Sequence, residues 1–150
     1  MNITVAVIIN GPKRKVWAAI TDIENSANML SGIIDVKIIE KPPQGLVGLR
    51  WLETRKFFGK AASETMWITE AVTNEYYCTR AENGGAVYTT KLSLTAAEPS
   101  TCLTMTFSDS SESIWVKMIS AVIGFFLKSS MRKMLKKDLD EIKHYVESKK

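Results

Sequence analysis

Three charged residues stand where strand alternation calls for apolar ones. Between Leu49 and Phe57, the residues Leu49, Trp51, Glu53, Arg55 and Phe57 share one parity, and Arg50, Leu52, Thr54 and Lys56 share the other. From Ala62 to Ala71, the set Ala62, Glu64, Met66 and Ile68 opposes Ser63, Thr65, Trp67 and Thr69. Successive strand side chains point to opposite faces, so turning the more apolar sets inward carries Glu53, Arg55 and Glu64 in with Trp51 and Met66. An arginine held there can bind a ligand carboxylate or an enolate oxygen through its fork of N–H donors, with Glu53 or Glu64 as partner or base. Charges inside an apolar interior are costly unless paired, which leaves two other readings open. Either the trio is an internal salt bridge joining the third and fourth strands, or the register is reversed and all three sit in water.

Further residues of the same parity extend the candidate site. Tyr88, Thr90, Leu92 and Leu94 form the matching set on the sixth strand, and Leu103, Met105 and Phe107 on the seventh. Tyr88 and Thr90 can hydrogen-bond a ligand hydroxyl or the protein itself, since buried hydroxyls find partners. Met66, Met105 and Met118 supply flexible thioethers suited to an adaptable pocket, or equally to plain core filling. Met118 and Val122 bring a C-terminal helix to the same place, where Gly124 leaves room for a ligand or for close packing.

The elements that must position these residues read in order. Ile3, Val5, Val7 and Ile9 alternate as a first strand, which Gly11-Pro12 ends, with Pro12 suited to the first helical position. Val16, Trp17, Ile20 and Ile23 follow at helical spacing, and Asp22 to Leu30 reads as a second short helical turn. Six strands follow between Ile33 and Asp109, broken at Pro42-Pro43-Gln44-Gly45, Phe58-Gly59-Lys60, Thr73-Asn74, Asn83-Gly84 and Glu98-Pro99-Ser100. Asn83-Gly84 is a strong hairpin signal because a type I′ turn wants positive φ at both positions. Asp109-x-x-Glu112 resembles a capping box and predicts one helix from about Ser113 to about Ser148. Its first half is apolar nearly all round. Its second half carries Met131, Leu135, Leu139, Ile142 and Val146 on one stripe and charges elsewhere. A β-αα-β6-α order of this kind predicts an α+β domain over residues 1–150, in which seven antiparallel strands curl around the long helix and leave a gap fit for a ligand.

Composition excludes several functions. One histidine (His144) and two separated cysteines cannot build a His/Cys zinc site or supply the base of a Ser-His-Asp triad in a pocket. No Walker A loop or GxGxxG occurs, and no cofactor is expected. Cys78 and Cys102 fall on strands five and seven with strand six between them, so they are expected as free thiols. Nothing resembles a signal peptide, and the apolar run Ile114–Leu127 is too short to span a bilayer, so a cytoplasmic protein is expected. The net charge of +4 arises wholly in residues 128–150, which carry eight Lys/Arg and four Asp/Glu. Acids interleave with those bases and aromatics are scarce there, which argues against nucleic acid and for a solvated helix face, with weak peripheral attraction to anionic lipid as the other reading. Lys136/Asp140, Lys137/Glu141 and Lys143/Glu147 are opposite charges at i,i+4 on that face.

The motif Ile9-x-Gly11-Pro12 followed by Val16-Trp17, Ile20 and Asp22, then Val47-Gly48 and Trp51-x-x-x-Arg55, resembles the START-like superfamily. The likeness runs nearly the whole chain, to Asp138-Leu139-x-x-Ile142-Lys143 in the terminal helix. Its nearest branch is the polyketide cyclase/dehydrase and lipid-transport family, related in fold to the birch-pollen allergen. The family usually has Trp where Met29 stands here. The resemblance implies a helix-grip fold with an internal apolar cavity. It does not imply one activity, because fold and function are separable. The first expectation is a carrier or sensor of a small hydrophobic molecule, contacted by Trp51, Glu53, Arg55, Glu64, Met66, Tyr88, Thr90, Met105, Met118 and Val122. The second is a cyclase or aromatase in which Glu53 or Glu64 moves protons while Arg55 steadies an oxyanion. The third is a non-catalytic module that dimerises through Trp67 and Leu52. As a partner the sequence leaves both monomer and homodimer open.

Overall fold

A computed structural model of the chain describes residues 2–57, 59–83, 86–111 and 121–149. The elements run β1 (Asn2–Ile9), α1 (Lys13–Ile20), a 3₁₀ helix (Ile23–Asn28), β2 (Ile33–Glu40), β3 (Arg50–Phe57), β4 (Lys60–Val72), β5 (Tyr76–Asn83), β6 (Ala86–Ala97), β7 (Ser100–Ser111) and α2 (Ala121–Ser148). All seven strands form one antiparallel sheet in the order β1-β7-β6-β5-β4-β3-β2. The first two strands in sequence are therefore its two edges, and α1 with the 3₁₀ helix crosses from one edge to the other. Register shifts after Ile68 on β4 and at two places along β2 add local twist and help the sheet to curl.

Sequence pattern and structure agree on which face is buried. Ile3, Val5, Ile9, Trp51, Ile68, Leu92, Leu94, Leu103 and Met105 are buried on the concave side, where Leu135, Leu139, Ile142 and Val146 of α2 meet them. Three local expectations change. Pro12 stands just before the first helical residue, with φ −75° and extended ψ, and its carbonyl accepts from Lys15 and Val16. The second helical turn narrows to a 3₁₀ helix, because Ser26 Oγ bonds the Ile23 carbonyl and Asn25 Nδ2 bonds Asp22, side-chain bonds that compete with α-helical pairing. Asp109 is no helix cap: β7 runs on to Ser111, and Asp109 pairs with Tyr88 in the ladder. Glu112, the start of the expected helix at residues 113–120, and the turn glycine Gly84 lie outside the described residues, although β5 and β6 pair as a hairpin up to Asn83 and Ala86. Cys78 and Cys102 are free. Among the described residues no helix is long and apolar enough to cross a membrane.

The basic residues of α2 are not simply a solvated face. In an antiparallel edge strand, alternate residues turn both N–H and C=O away from the sheet. On β1 the carbonyls of Thr4, Ala6 and Ile8 accept from Arg132 Nη1 (3.1 Å), Lys136 Nζ (3.1 Å) and Lys143 Nζ (2.7 Å). Glu147 continues the series by accepting from the Asn10 backbone N–H at 2.8 Å. The helix thus runs alongside β1 in the same direction and covers an edge that would otherwise offer a template to another strand. Lys136–Asp140 (3.1 Å) and Lys143–Glu147 (2.5 Å) pair as expected, whereas Glu141 accepts from both the N–H and the Oγ of Ser31. Replacing Arg132, Lys136 and Lys143 together by Ala is expected to lower stability by about 1.5–3 kcal/mol, at roughly 0.5–1 kcal/mol for each lost hydrogen bond. Concentration-dependent self-association should rise as well. Thermal melts and light scattering check both, and unchanged values would remove edge protection as the role of these cations.

Candidate functional site

The sheet curls further than α2 can fill. A cavity of about 160 Å³ remains between the concave face, the 3₁₀ helix and α2. Eight residues expected at the site line it: Trp51, Glu53 and Arg55 from β3, Glu64 and Met66 from β4, Tyr88 and Thr90 from β6, and Met105 from β7. Met118 lies outside the described residues, as does the side chain of Val122, so their expected place in the wall stands only as an expectation. The wall passes from buried Tyr77, Leu92 and Ile142 to half-buried Glu64, Tyr88 and Phe107. Tyr88 and Phe107 stack there, ring centroids 6.0 Å apart.

The charged trio faces inward, so the reversed register does not hold. Nor does Arg55 form the expected bridge between strands. Its Nη1 lies 2.8 Å from Asp138 Oδ2 on α2, and its Nε lies 3.5 Å from Glu53 Oε2 two residues away on its own strand. The indole of Trp51 donates to the other Glu53 oxygen at 3.3 Å. Glu64 sits directly across the ladder from Glu53. The guanidinium packs close against Gly32, where a Cβ would stand 3.3 Å from Nη1. Side-chain exposure is 12% for Arg55 and 5% for Asp138, so the pair is screened little by solvent.

Proton affinities follow from this burial. Burial pulls the Arg55 guanidinium's pKa down, but the Coulombic pull of Asp138 and Glu53 outweighs it and leaves it above its usual value. Burial pushes the Asp138 carboxyl up, and Arg55 draws it only partly back, while Glu141 and Glu53 add to the rise. Burial also raises the phenol of Tyr77, which donates to the Ile20 carbonyl at 2.9 Å and holds α1 on the sheet. Tyr88 is raised by burial and by the neighbouring carboxylates Glu64 and Asp109.

Asp138 is the residue of the candidate site that the sequence reading missed, because it counted among the interleaved acids of a wet face. Its spacing held the signal. It stands three residues after Leu135 and four before Ile142, on the helix's apolar stripe. Also unforeseen were the walls built by Ser26, Met29 and Leu30 around the 3₁₀ helix, by Tyr77 and Thr79 on β5, and by Met131 and Met134 on α2. Met29, at the position usually held by Trp in the family it resembles, is one of them. Trp67 and Leu52 lie on the opposite face of the sheet, with the Arg50 guanidinium over the Trp67 ring at 5.3 Å. Among the described residues no cluster of His, Cys, Asp or Glu could hold a metal ion.

A family model described as polyketide cyclase / dehydrase and lipid transport matches residues 1–147. No curated protein matches the chain by sequence. Solved structures that it resembles include TTHA0849 from Thermus thermophilus, at TM-score 0.82 and 12% identity, covering 99% of this chain and 98% of that one. A START superfamily protein from Mycobacterium smegmatis matches at TM-score 0.80 and 12% identity, over 98% and 97% of the two chains. The Zhui aromatase/cyclase from Streptomyces sp. R1128 matches at TM-score 0.78 and 13% identity, over 98% and 93%. At these identities the likeness shows the fold alone, and that fold is the START-type helix grip.

The Arg55–Asp138 pair can be tested by its coupling and by its titration. Arg55→Met or Asp138→Leu alone should cost about 3–5 kcal/mol by stranding a buried charge, while the two together should be close to neutral. A double-mutant cycle in urea measures this, and additive single effects would show that the pair is not coupled. In an NMR titration of the carboxyls, Asp138 should titrate above its ordinary 3.8 and Glu147, held by Asn10 N–H and Lys143, below its ordinary 4.5. Because the folded state binds the Asp138 proton more readily than the unfolded chain, this group's contribution to stability falls as pH rises through the window above 3.8. Glu147 acts in the opposite sense: its contribution is present above 4.5 and is lost as pH falls through its lowered folded value. An Asp138 midpoint below 3.8 or a Glu147 midpoint above 4.5 would contradict the assignment.

Proposed function

Because this chain belongs to the polyketide cyclase / dehydrase and lipid transport family, we propose that its cavity binds a small hydrophobic molecule, as a carrier or a sensor. The observation that carries the reading is a gap of about 160 Å³ walled by Trp51, Met66, Leu92, Met105 and Leu135 and bearing one polar cluster. Apolar walls with a few convergent polar groups are the usual make-up of a small-molecule site. Thioethers from Met29, Met66, Met105, Met131 and Met134 suit such a wall to ligands of varied outline.

A second reading is a cyclase-type enzyme acting on a polyketide-like substrate by acid/base chemistry. Asp138 favours it: a carboxyl that keeps its proton more readily than usual, beside an arginine in an apolar cavity, has the setting of a general acid. If that reading holds, Asp138→Asn should abolish turnover of a poly-β-ketone substrate without abolishing its binding.

The neutral dye N-phenyl-1-naphthylamine is expected to bind once per chain and to quench Trp51, which lines the cavity. Ala81→Leu, which adds three carbons to the wall at a buried position, should weaken that binding about tenfold or more, the loss of one or two methylene-sized spaces. Failure of the wild type to bind the dye, or indifference to Ala81→Leu, would remove the cavity as the binding site.

A further inference from the structure

We propose that the molecule held in this cavity presents a hydrogen-bond-donating head, an ammonium or a hydroxyl, to Glu53 and Asp138, and that carboxylate ligands are rejected. The inference rests on the cavity being a ligand site and concerns the chemistry of its occupant. An arginine in an apolar pocket ordinarily suggests an anionic ligand, and here the geometry points the other way.

Arg55 is the one cation among the described residues that line the cavity, and it is already engaged. Asp138 takes its Nη1 at 2.8 Å, Glu53 stands 3.5 Å from its Nε, and the backbone of Gly32 covers it closely from β2's side. Two carboxylates against one guanidinium leave the cluster with a formal charge of −1. An incoming carboxylate would have to share the guanidinium with Asp138 and Glu53, which stand 2.8 Å from Nη1 and 3.5 Å from Nε, and would be repelled by both. A donor meets no such obstacle. Ionised carboxylates accept only, with about four lone-pair sites each. Glu53 gives one oxygen to Trp51 and the other to Arg55, and Asp138 gives Oδ2 to Arg55, so accepting capacity remains. An ammonium there would be paired on burial, which is the condition for taking a charge out of water.

The overall charge makes the test sharper. At +4 the whole chain attracts anions, so a preference for a cation has to come from the cavity. Three probes with one apolar skeleton separate the headgroups: 2-naphthylmethylammonium, 2-naphthalenemethanol and 2-naphthoate, titrated by calorimetry at pH 7 into the intact chain. The ammonium and the alcohol should each bind at least about tenfold more tightly than the carboxylate. Glu53→Gln, which keeps the shape and the Arg55–Asp138 bond, should shrink the ammonium's advantage over the carboxylate. Naphthoate binding as tightly as the other two, or an advantage that Glu53→Gln leaves intact, overturns the headgroup assignment while leaving the cavity a ligand site. No binding by any probe or by the neutral dye overturns both.

Discussion

The contact between Arg55 on β3 and Asp138 on α2 joins the sheet to the helix across the space that neither fills. A sheet curved this strongly has a concave face too deep for one helix, so α2 has to be held at a distance rather than packed flush. Its C-terminal half is seated by apolar contacts from Leu139, Ile142 and Val146, with exposures of 0%, 2% and 1%. One side is tied along β1 through Arg132, Lys136, Lys143 and Glu147. The other side is tied by Glu141 to Ser31 and by Asp138 to Arg55. Between those two lines of polar contacts lies the cavity. The charges that look superfluous in a sequence tally are thus the struts that keep the space open.

Buried ion pairs are weak sources of stability, because desolvation consumes much of the Coulombic gain. The proton affinity of Asp138, raised by burial despite Arg55, expresses that balance directly. The pair is therefore better understood as fixing position than as strengthening the fold. Arg55 is pinned from two directions, Trp51 orients Glu53, and the closeness of Gly32 leaves little room for the guanidinium to swing. A rigid polar cluster at one place in an apolar wall gives a ligand an orientation as well as a volume.

What was legible in the sequence follows from which patterns are local. Period-two alternation put Trp51, Glu53, Arg55, Glu64, Met66, Tyr88, Thr90 and Met105 on one face, because a sheet with one buried face leaves no freedom in parity. The meander of strands five to seven and the enclosing helix followed from the succession of elements, whereas the pairing of β1 with β7 did not. The partner of Arg55 was not legible, since Asp138 lies 83 residues away and its helical neighbours Lys136, Lys137, Asp140 and Glu141 mask one acid on an apolar stripe. The role of the basic residues was hidden for a related reason. A lysine that caps a strand carbonyl has the same local sequence as one in water, and only the parallel course of α2 along β1 distinguishes them. Asp109 misled in the other direction, because a capping-box spacing also fits a strand that runs two residues longer.

An open cavity is itself a cost that the fold carries. The half-open pocket forgoes the apolar contacts that larger side chains would make across it. Small residues border it at Ala62, Ala81, Thr79 and Thr90, where larger apolar side chains would close the gap. A chain under no constraint but stability would fill such a space, since cavity-filling substitutions are among the accessible stabilising changes. Keeping it open, with charges inside that need partners, is intelligible when an occupant restores the missing contacts. Binding of that occupant to the folded state alone would then return stability in proportion to the logarithm of its concentration over its Kd. Fold, cavity and polar cluster are on this view one arrangement, in which α2 is held just far enough from the sheet to admit a guest.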